Sequence, residues 1–145
     1  MRSMLRISEA ASMALHTMGL LAFDPKRAMS NREIASVLNV SSAHLAKVMQ
    51  RLNKAGLVRS RRGPKGGFCL ERRSEEITLL EVYEATDGPL EERGCLLDKK
   101  ICTGNCILGG LLTSTGRELK RYLSQTRVSD ISRFKYNKEH HERDS

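Results

Sequence analysis

The sequence predicts a mostly α-helical fold with one small two-stranded β wing, on three observations. Apolar residues recur at three- and four-residue intervals through most of the chain, the period of helices with one buried face. The exception is residues 57–71, where two short runs flank Gly63-Pro64-Lys65-Gly66-Gly67 as strands flank a turn. Finally, 145 residues are enough for one ordinary domain with a small appendage and too few for two large domains.

Residues 5–23 place Ile7, Ala10, Ala11, Ala14, Leu15, Met18, Leu21 and Ala22 on one face of a first helix, which Asp24-Pro25 stops. Ser30-Asn31-Arg32-Glu33 has capping-box spacing, so a short second helix opens there and runs to Leu38 with Ile34, Val37 and Leu38 facing inward. Asn39-Val40 makes a tight turn, and Ser41 or Ser42 caps a third helix whose inward stripe is Leu45, Val48, Met49 and Leu52, up to Ala55-Gly56. Two short helices joined this closely form a helix-turn-helix. Residues 57–62 and 68–71 are the strands of the wing, with a basic tip between them. Thr78-Leu79-Leu80-Glu81 repeats the capping-box spacing and starts a helix to about Thr86, ended by Asp87-Gly88-Pro89.

A cysteine-bearing loop from Gly94 to Cys106 follows, then Leu108, Leu111, Leu112, Leu119, Tyr122 and Leu123 at helical spacing within residues 107–125. Gly109, Gly110 and Gly116 interrupt that run, each costing about 1 kcal/mol relative to Ala in a helix interior. Little chain remains to cover the stripe, so a partner subunit is expected to cover it. The fold class is thus a winged helix-turn-helix unit with its linker helix (residues 1–88), a cysteine cluster loop (89–106), a long C-terminal dimerisation helix region (107–134) and a polar, disordered tail (135–145).

Charge divides the chain unevenly. Residues 1–73 hold 14 basic against 4 acidic side chains, and residues 74–145 hold 11 against 13, the asymmetry expected when one half meets a polyanion. The outward residues of the third helix are Ser41, Ser42, His44, Lys47, Gln50, Arg51 and Lys54, with no Asp or Glu among them to repel a phosphate backbone. The wing adds Arg59, Arg61, Arg62 and Lys65, and Gly66-Gly67 lets its tip approach a nucleic-acid backbone closely. Double-stranded DNA is the partner this pattern predicts.

No apolar run reaches the ~18 residues of a membrane span; the longest, residues 10–23, is broken by Ser12, His16 and Thr17. Ser8 and Glu9 precede it and no small-x-small cleavage site follows, so it reads as a helix of a cytoplasmic protein rather than a signal peptide. No nucleophile-base pair, phosphate loop or cleft-like carboxylate pair points to an enzyme.

Of the four cysteines, Cys95, Cys102 and Cys106 fall within a dozen residues in the spacing C-x6-C-x3-C. Thiolates are what cluster iron requires, and Lys99 and Lys100 favour their anionic form. On spacing alone, an iron-sulfur cluster, structural zinc and free thiols all stay open. Cys69 alternates within the wing and reads as a small strand residue.

Several segments are similar to the IscR/NsrR-type winged helix-turn-helix regulators: Leu5-Arg6-Ile7-Ser8, Glu33-Ile34-Ala35, Leu52-Asn53-Lys54-Ala55-Gly56-Leu57-Val58, Arg61-Arg62-Gly63-Pro64-Lys65-Gly66-Gly67-Phe68 and Glu76-Ile77-Thr78. The resemblance spans roughly residues 5–131. It implies a homodimer that binds operator DNA through Ser41, His44, Lys47 and Arg62 and carries a [2Fe-2S] or [4Fe-4S] cluster on Cys95, Cys102 and Cys106. Such a cluster senses iron, redox state or nitric oxide. Where the iron-sulfur biogenesis regulator has a glutamate that discriminates between operators, this chain has Ala46. The fourth-ligand histidine of that regulator falls at Gly109 and the aspartate of the nitric-oxide sensors at Ser12, leaving His16 or Glu9, one turn either side of Ser12, as candidate fourth ligands.

Overall fold

The computed structural model describes residues 7–91, 94, 95, 97, 101 and 106–131. In chain order the elements are α1 (Glu9–Phe23), α2 (Asn31–Leu38), α3 (Ser42–Lys54), β1 (Val58–Arg61), β2 (Gly67–Leu70), a 3-10 turn (Ser74–Glu76), α4 (Leu79–Asp87), α5 (Ile107–Gln125) and α6 (Val128–Ile131). The expected tail lies outside the described residues.

Helix starts follow local chemistry. Ser8 caps α1, its Oγ accepting from the Ala11 N–H at 3.0 Å, so Ile7 lies ahead of the helix and is exposed. At α2, Ser30 Oγ accepts from the Glu33 N–H at 3.1 Å while the Glu33 carboxylate accepts from the Ser30 N–H at 2.7 Å. Thr78 and Glu81 form the same reciprocal box at α4. Just outside each box sits an apolar residue, Met29 or Ile77, that enters the core with the residue four positions into the helix, Ile34 or Val82, as in a hydrophobic staple. Asn39 ends α2 in the left-handed conformation at φ 53°, its N–H donating to the last turn of the helix.

The core gathers Met18 and Leu21 of α1, Ile34 of α2, Leu45, Val48, Met49 and Leu52 of α3, Leu57 and Val58 before and on β1, and Val82 of α4. The α3 stripe is the one expected. In α2, however, Ala35 is buried and Val37 is 41% exposed. This short helix meets its neighbours along Ile34, Ala35 and the half-buried Leu38, a stripe at i, i+1 and i+4 that turns Val37 to solvent.

The antiparallel wing pairs Val58 with Leu70, Arg59 with Cys69, Ser60 with Phe68 and Arg61 with Gly67, so β2 begins one residue earlier than expected. Met29 pairs with β2 from its other side: its N–H donates to the Phe68 carbonyl at 3.0 Å and its carbonyl accepts from the Phe68 N–H at 2.7 Å. The wing is thereby fastened to the chain entering α2.

Helix α5 keeps helical form through its glycines, over the range expected from sequence. Its far end returns to the body, where the Leu79 N–H donates to the Thr126 carbonyl at 3.0 Å and the Val128 N–H to the Ile77 carbonyl at 2.9 Å. Leu123 and Val128 are buried there. Leu119 is half-buried against the core and Leu112 is half-buried, while Leu108, Leu111 and Tyr122 stay open at 52%, 61% and 64% exposure. No described helix is long and apolar enough to cross a membrane.

Candidate functional site

Burying Leu45, Val48, Met49 and Leu52 turns Ser41, Ser42, His44, Lys47, Gln50, Arg51 and Lys54 outward. The start of this face is set by two contacts. Ser41 Oγ accepts from the His44 N–H at 3.4 Å, and Asn31 at the head of α2 donates through Nδ2 to the Ser42 carbonyl at 2.9 Å and to Ser42 Oγ at 3.1 Å. The turn between α2 and α3 is therefore pinned from both sides. His44 and Lys47 enter no ion pair among the described residues.

Arg51 is held differently, with Nη1 donating to the Thr86 carbonyl of α4 at 2.9 Å. A groove of about 220 Å³ runs between α1 and α3, floored by Ala10, Met13 and Val48 and rimmed by Glu9, His44, Lys47 and Arg51.

The basic side chains of the wing also divide. Arg59 Nε donates to Cys69 Sγ at 3.3 Å and lies 4.0 Å from Glu71 Oε2, and Arg61 Nη1 reaches the Lys26 carbonyl at 3.4 Å. Arg62 and Lys65 are exposed and enter no ion pair among the described residues. Both glycines have reasons inside the fold: a Cβ on Gly66 would meet the Arg61 carbonyl oxygen at 2.4 Å, and one on Gly67, at φ +146°, the Met29 carbonyl group at 2.4 Å. Cys69 is a buried strand residue.

In the cysteine region, Cys95 is half-buried and Cys106 exposed, both as free thiols. Cys102, with Lys99 and Lys100, lies outside the described residues. Gly94 rests against α5 so closely that a Cβ on Gly109 would meet the Gly94 carbonyl oxygen at 2.5 Å and Cys106 Cβ at 3.5 Å. A side chain at position 109 is thus incompatible with this packing. Cys106 is the N-cap residue of α5 and makes no side-chain cap, so its sulfur lies at the start of that helix without serving as its cap. The Leu97 N–H donates to Cys95 Sγ at 3.5 Å.

These donors suit a soft metal centre, although no group of three His, Cys, Asp or Glu able to hold a metal forms among the described residues. Of the α1 candidates, Glu9 borders the groove against α3. His16 is exposed, with Nδ1 2.7 Å from the Ser12 carbonyl; since a carbonyl only accepts, Nδ1 is the donor in this contact. Sequence periodicity gave no sign of the Arg51–Thr86, Asn31–Ser42 or Gly94–Gly109 contacts. Only the pair of glycines at 109 and 110 marked a close approach in that region.

Known proteins share this architecture. Residues 7–133 match the Rrf2 family, described as an iron-dependent transcriptional regulator. The transcriptional regulator NsrR of Shouchella clausii is 30% identical over 131 residues, covering 88% of each chain. IscR of Cereibacter sphaeroides is 29% identical, with 83% of this chain and 81% of that one covered. Among solved structures, CymR, the global cysteine regulator of B. subtilis, is similar with a TM-score of 0.77 at 27% identity, covering 91% of this chain and 99% of that one. With its helix-turn-helix, wing and long α5 in this order, the chain belongs to the Rrf2 family of winged-helix transcriptional regulators, proteins that bind DNA.

Proposed function

We propose that the protein is a homodimeric regulator whose affinity for double-stranded operator DNA is set by an iron-sulfur cluster, [2Fe-2S] or [4Fe-4S], on Cys95, Cys102 and Cys106, with Glu9 or His16 of α1 as the further ligand. The observation that carries this reading is the position of Cys106 at the uncapped start of α5, with Gly94, the neighbour of Cys95, seated on Gly109, in a chain whose α3 face is cationic and free of carboxylates. When bound, the cluster supplies a centre that responds to iron supply, redox state or nitric oxide.

The chain's own residues do the rest. The first turns of α3 offer backbone N–H groups and the side chains of Ser41, Ser42, His44 and Lys47 to a major groove. Arg62 and Lys65 offer charge to the flanking phosphates, and Arg59, Arg61 and Gly66 set the shape of the wing that presents them. The exposed side of α5, with Leu108, Leu111 and Tyr122, is the surface on which a second copy closes.

A second reading keeps the DNA-binding half and uses the same cysteines as a thiol or zinc switch. The likeness to CymR, described as a global cysteine regulator, favours it. Anaerobic purification with visible absorbance, iron and acid-labile sulfide assays separates the two. Coloured protein whose iron and sulfide vanish in Cys102→Ala is the expected result. Colourless protein after anaerobic reconstitution rejects the cluster and leaves the thiol or zinc switch.

A further inference from the structure

The outward face of α3 contains one side chain whose geometry does not suit a DNA contact. Arg51 sits nine residues beyond Ser42, about 13 Å along the helix axis, whereas such a helix reads base edges with its first turns. Its guanidinium is instead directed at the Thr86 carbonyl, 2.9 Å away in the last turn of α4. The final four carbonyls of a helix have no partner within it, and a cation there is favoured by the helix dipole. Thr86 is buried, with its hydroxyl donating to the Tyr83 carbonyl at 3.0 Å, so Arg51 completes the end of α4 from outside.

Beyond that point the chain is held as far as Leu90. Asp87, the next residue, accepts from Ser8 Oγ at 2.6 Å, which ties the same helix end to the cap of α1. The Gly88 N–H donates to the Glu84 carbonyl at 3.0 Å and the Leu90 N–H to Glu84 Oε1 at 3.3 Å, fixing the direction in which the chain leaves α4. Four residues after Leu90, and beyond two that lie outside the described residues, Gly94 is seated on Gly109, with Cys95 next in the chain. The described contacts thus connect the recognition helix to the end of α4 and to Leu90, from which the chain leads on toward Gly94 and Cys95.

We infer that Arg51 is a positioning residue that couples α3 to the cysteine segment through the Thr86 carbonyl, rather than a contact to DNA. The inference rests on the reading that the state of the cysteines sets operator affinity. Coupling between sites is reciprocal: if the cysteine segment biases α3, operator binding alters the segment in turn, whatever occupies the thiols.

The test uses the full-length protein and a duplex selected for binding by the wild type. Operator affinity is measured with the cysteines reduced and metal-free and again after anaerobic iron-sulfide reconstitution or thiol oxidation, over a range of salt. Alkylation rates of Cys95 and Cys106 are followed peptide by peptide with and without the duplex. In the wild type the affinity ratio between states is expected to be about tenfold and the duplex to change the alkylation rates. Arg51→Met is expected to bring the ratio to within about twofold of unity and abolish the alkylation response, with the slope of log affinity against log salt unchanged. Arg51→Lys, which keeps one charged donor, restores part of both and guards against a variant that fails to fold.

A salt slope that falls by about one, with the ratio kept, makes Arg51 a phosphate contact and overturns the inference. Retention of the ratio and alkylation response in Arg51→Met also overturns it. A wild type that shows neither response rejects the reading of the cysteines as the signal, and the coupling with it.

Discussion

The winged body and the cysteine region are stabilised by different means. In the body, Ser30 with Glu33 and Thr78 with Glu81 close the helix starts, Met29 and Ile77 anchor them in the core, and Leu45, Met49 and Leu52 of α3 are almost wholly buried. From Gly94 to the middle of α5, the described contacts are a glycine-glycine approach, an uncapped helix start and apolar side chains open to solvent. The first region closes its helix starts and buries most of its apolar groups within one chain. The second leaves both tasks to something outside it, as suits a region that changes with its surroundings.

If the body is the stable half, its core should govern unfolding. Leu45→Ala removes a fully buried side chain and is expected to destabilise the protein by about 3 kcal/mol, read as a fall of roughly 10 °C in the melting midpoint. A fall of only a degree or two would show that the core is not where the stability lies. The complementary change is Leu111→Asp on the open face of α5. It should raise the dimer dissociation constant roughly thirtyfold, about 2 kcal/mol, in sedimentation while the helical circular dichroism stays that of the wild type. An unchanged mass would remove α5 as the dimer surface.

Smaller changes sharpen the same contrast. Ser30→Ala, which removes a cap oxygen from α2, is expected to cost about 1 kcal/mol in denaturant unfolding without altering the alkylation rate of Cys106. The smallest effect is on pH. The Ser30 backbone N–H, with help from Arg27, holds the Glu33 carboxyl below its ordinary 4.5. For Glu81 burial pushes upward, but the Thr78 N–H and Arg72 outweigh it and the carboxyl is again lowered from 4.5. A lowered folded-state value means stabilisation that is present above the ordinary value and lost as pH falls through the folded one. Between about pH 5 and pH 3 the melting midpoint should therefore drop by one or two degrees more in the wild type than in Glu33→Gln, since these carboxylates are largely solvated.

Sequence made most of the body legible because its rules are local. Capping boxes occupy four consecutive residues, and the stripe of α3 repeats at the helical period, so Ser30, Thr78, Leu45 and Leu52 were placed correctly. The range of α5 was legible too, since its leucines outweigh its glycines. Single-residue rungs such as Met29 with Phe68 and Thr78 with Arg127 carry no periodicity, and the four-residue α6 is too short to leave one. Val37 followed the helical period yet faces solvent, because only neighbouring elements decide which side of so short a helix is covered. Gly66 and Gly67 were read from outside as a tip able to approach DNA, while the fold requires them for its own backbone crossings. The cysteines were found by residue type; what holds Cys95 beside α5 depends on Gly94 meeting Gly109, a contact between residues whose side chains say nothing.

The closure of Val128 onto Ile77 also has a meaning in time. A nascent chain is made from one end, and Val128 leaves the ribosome roughly three to ten seconds after Ile77 at ordinary rates of synthesis. Cys95, Cys102 and Cys106 all emerge within that interval, before Leu123 and Val128 have filled the core. Every newly made copy thus has these three cysteines outside the ribosome while the core of its winged body still waits for its last side chains.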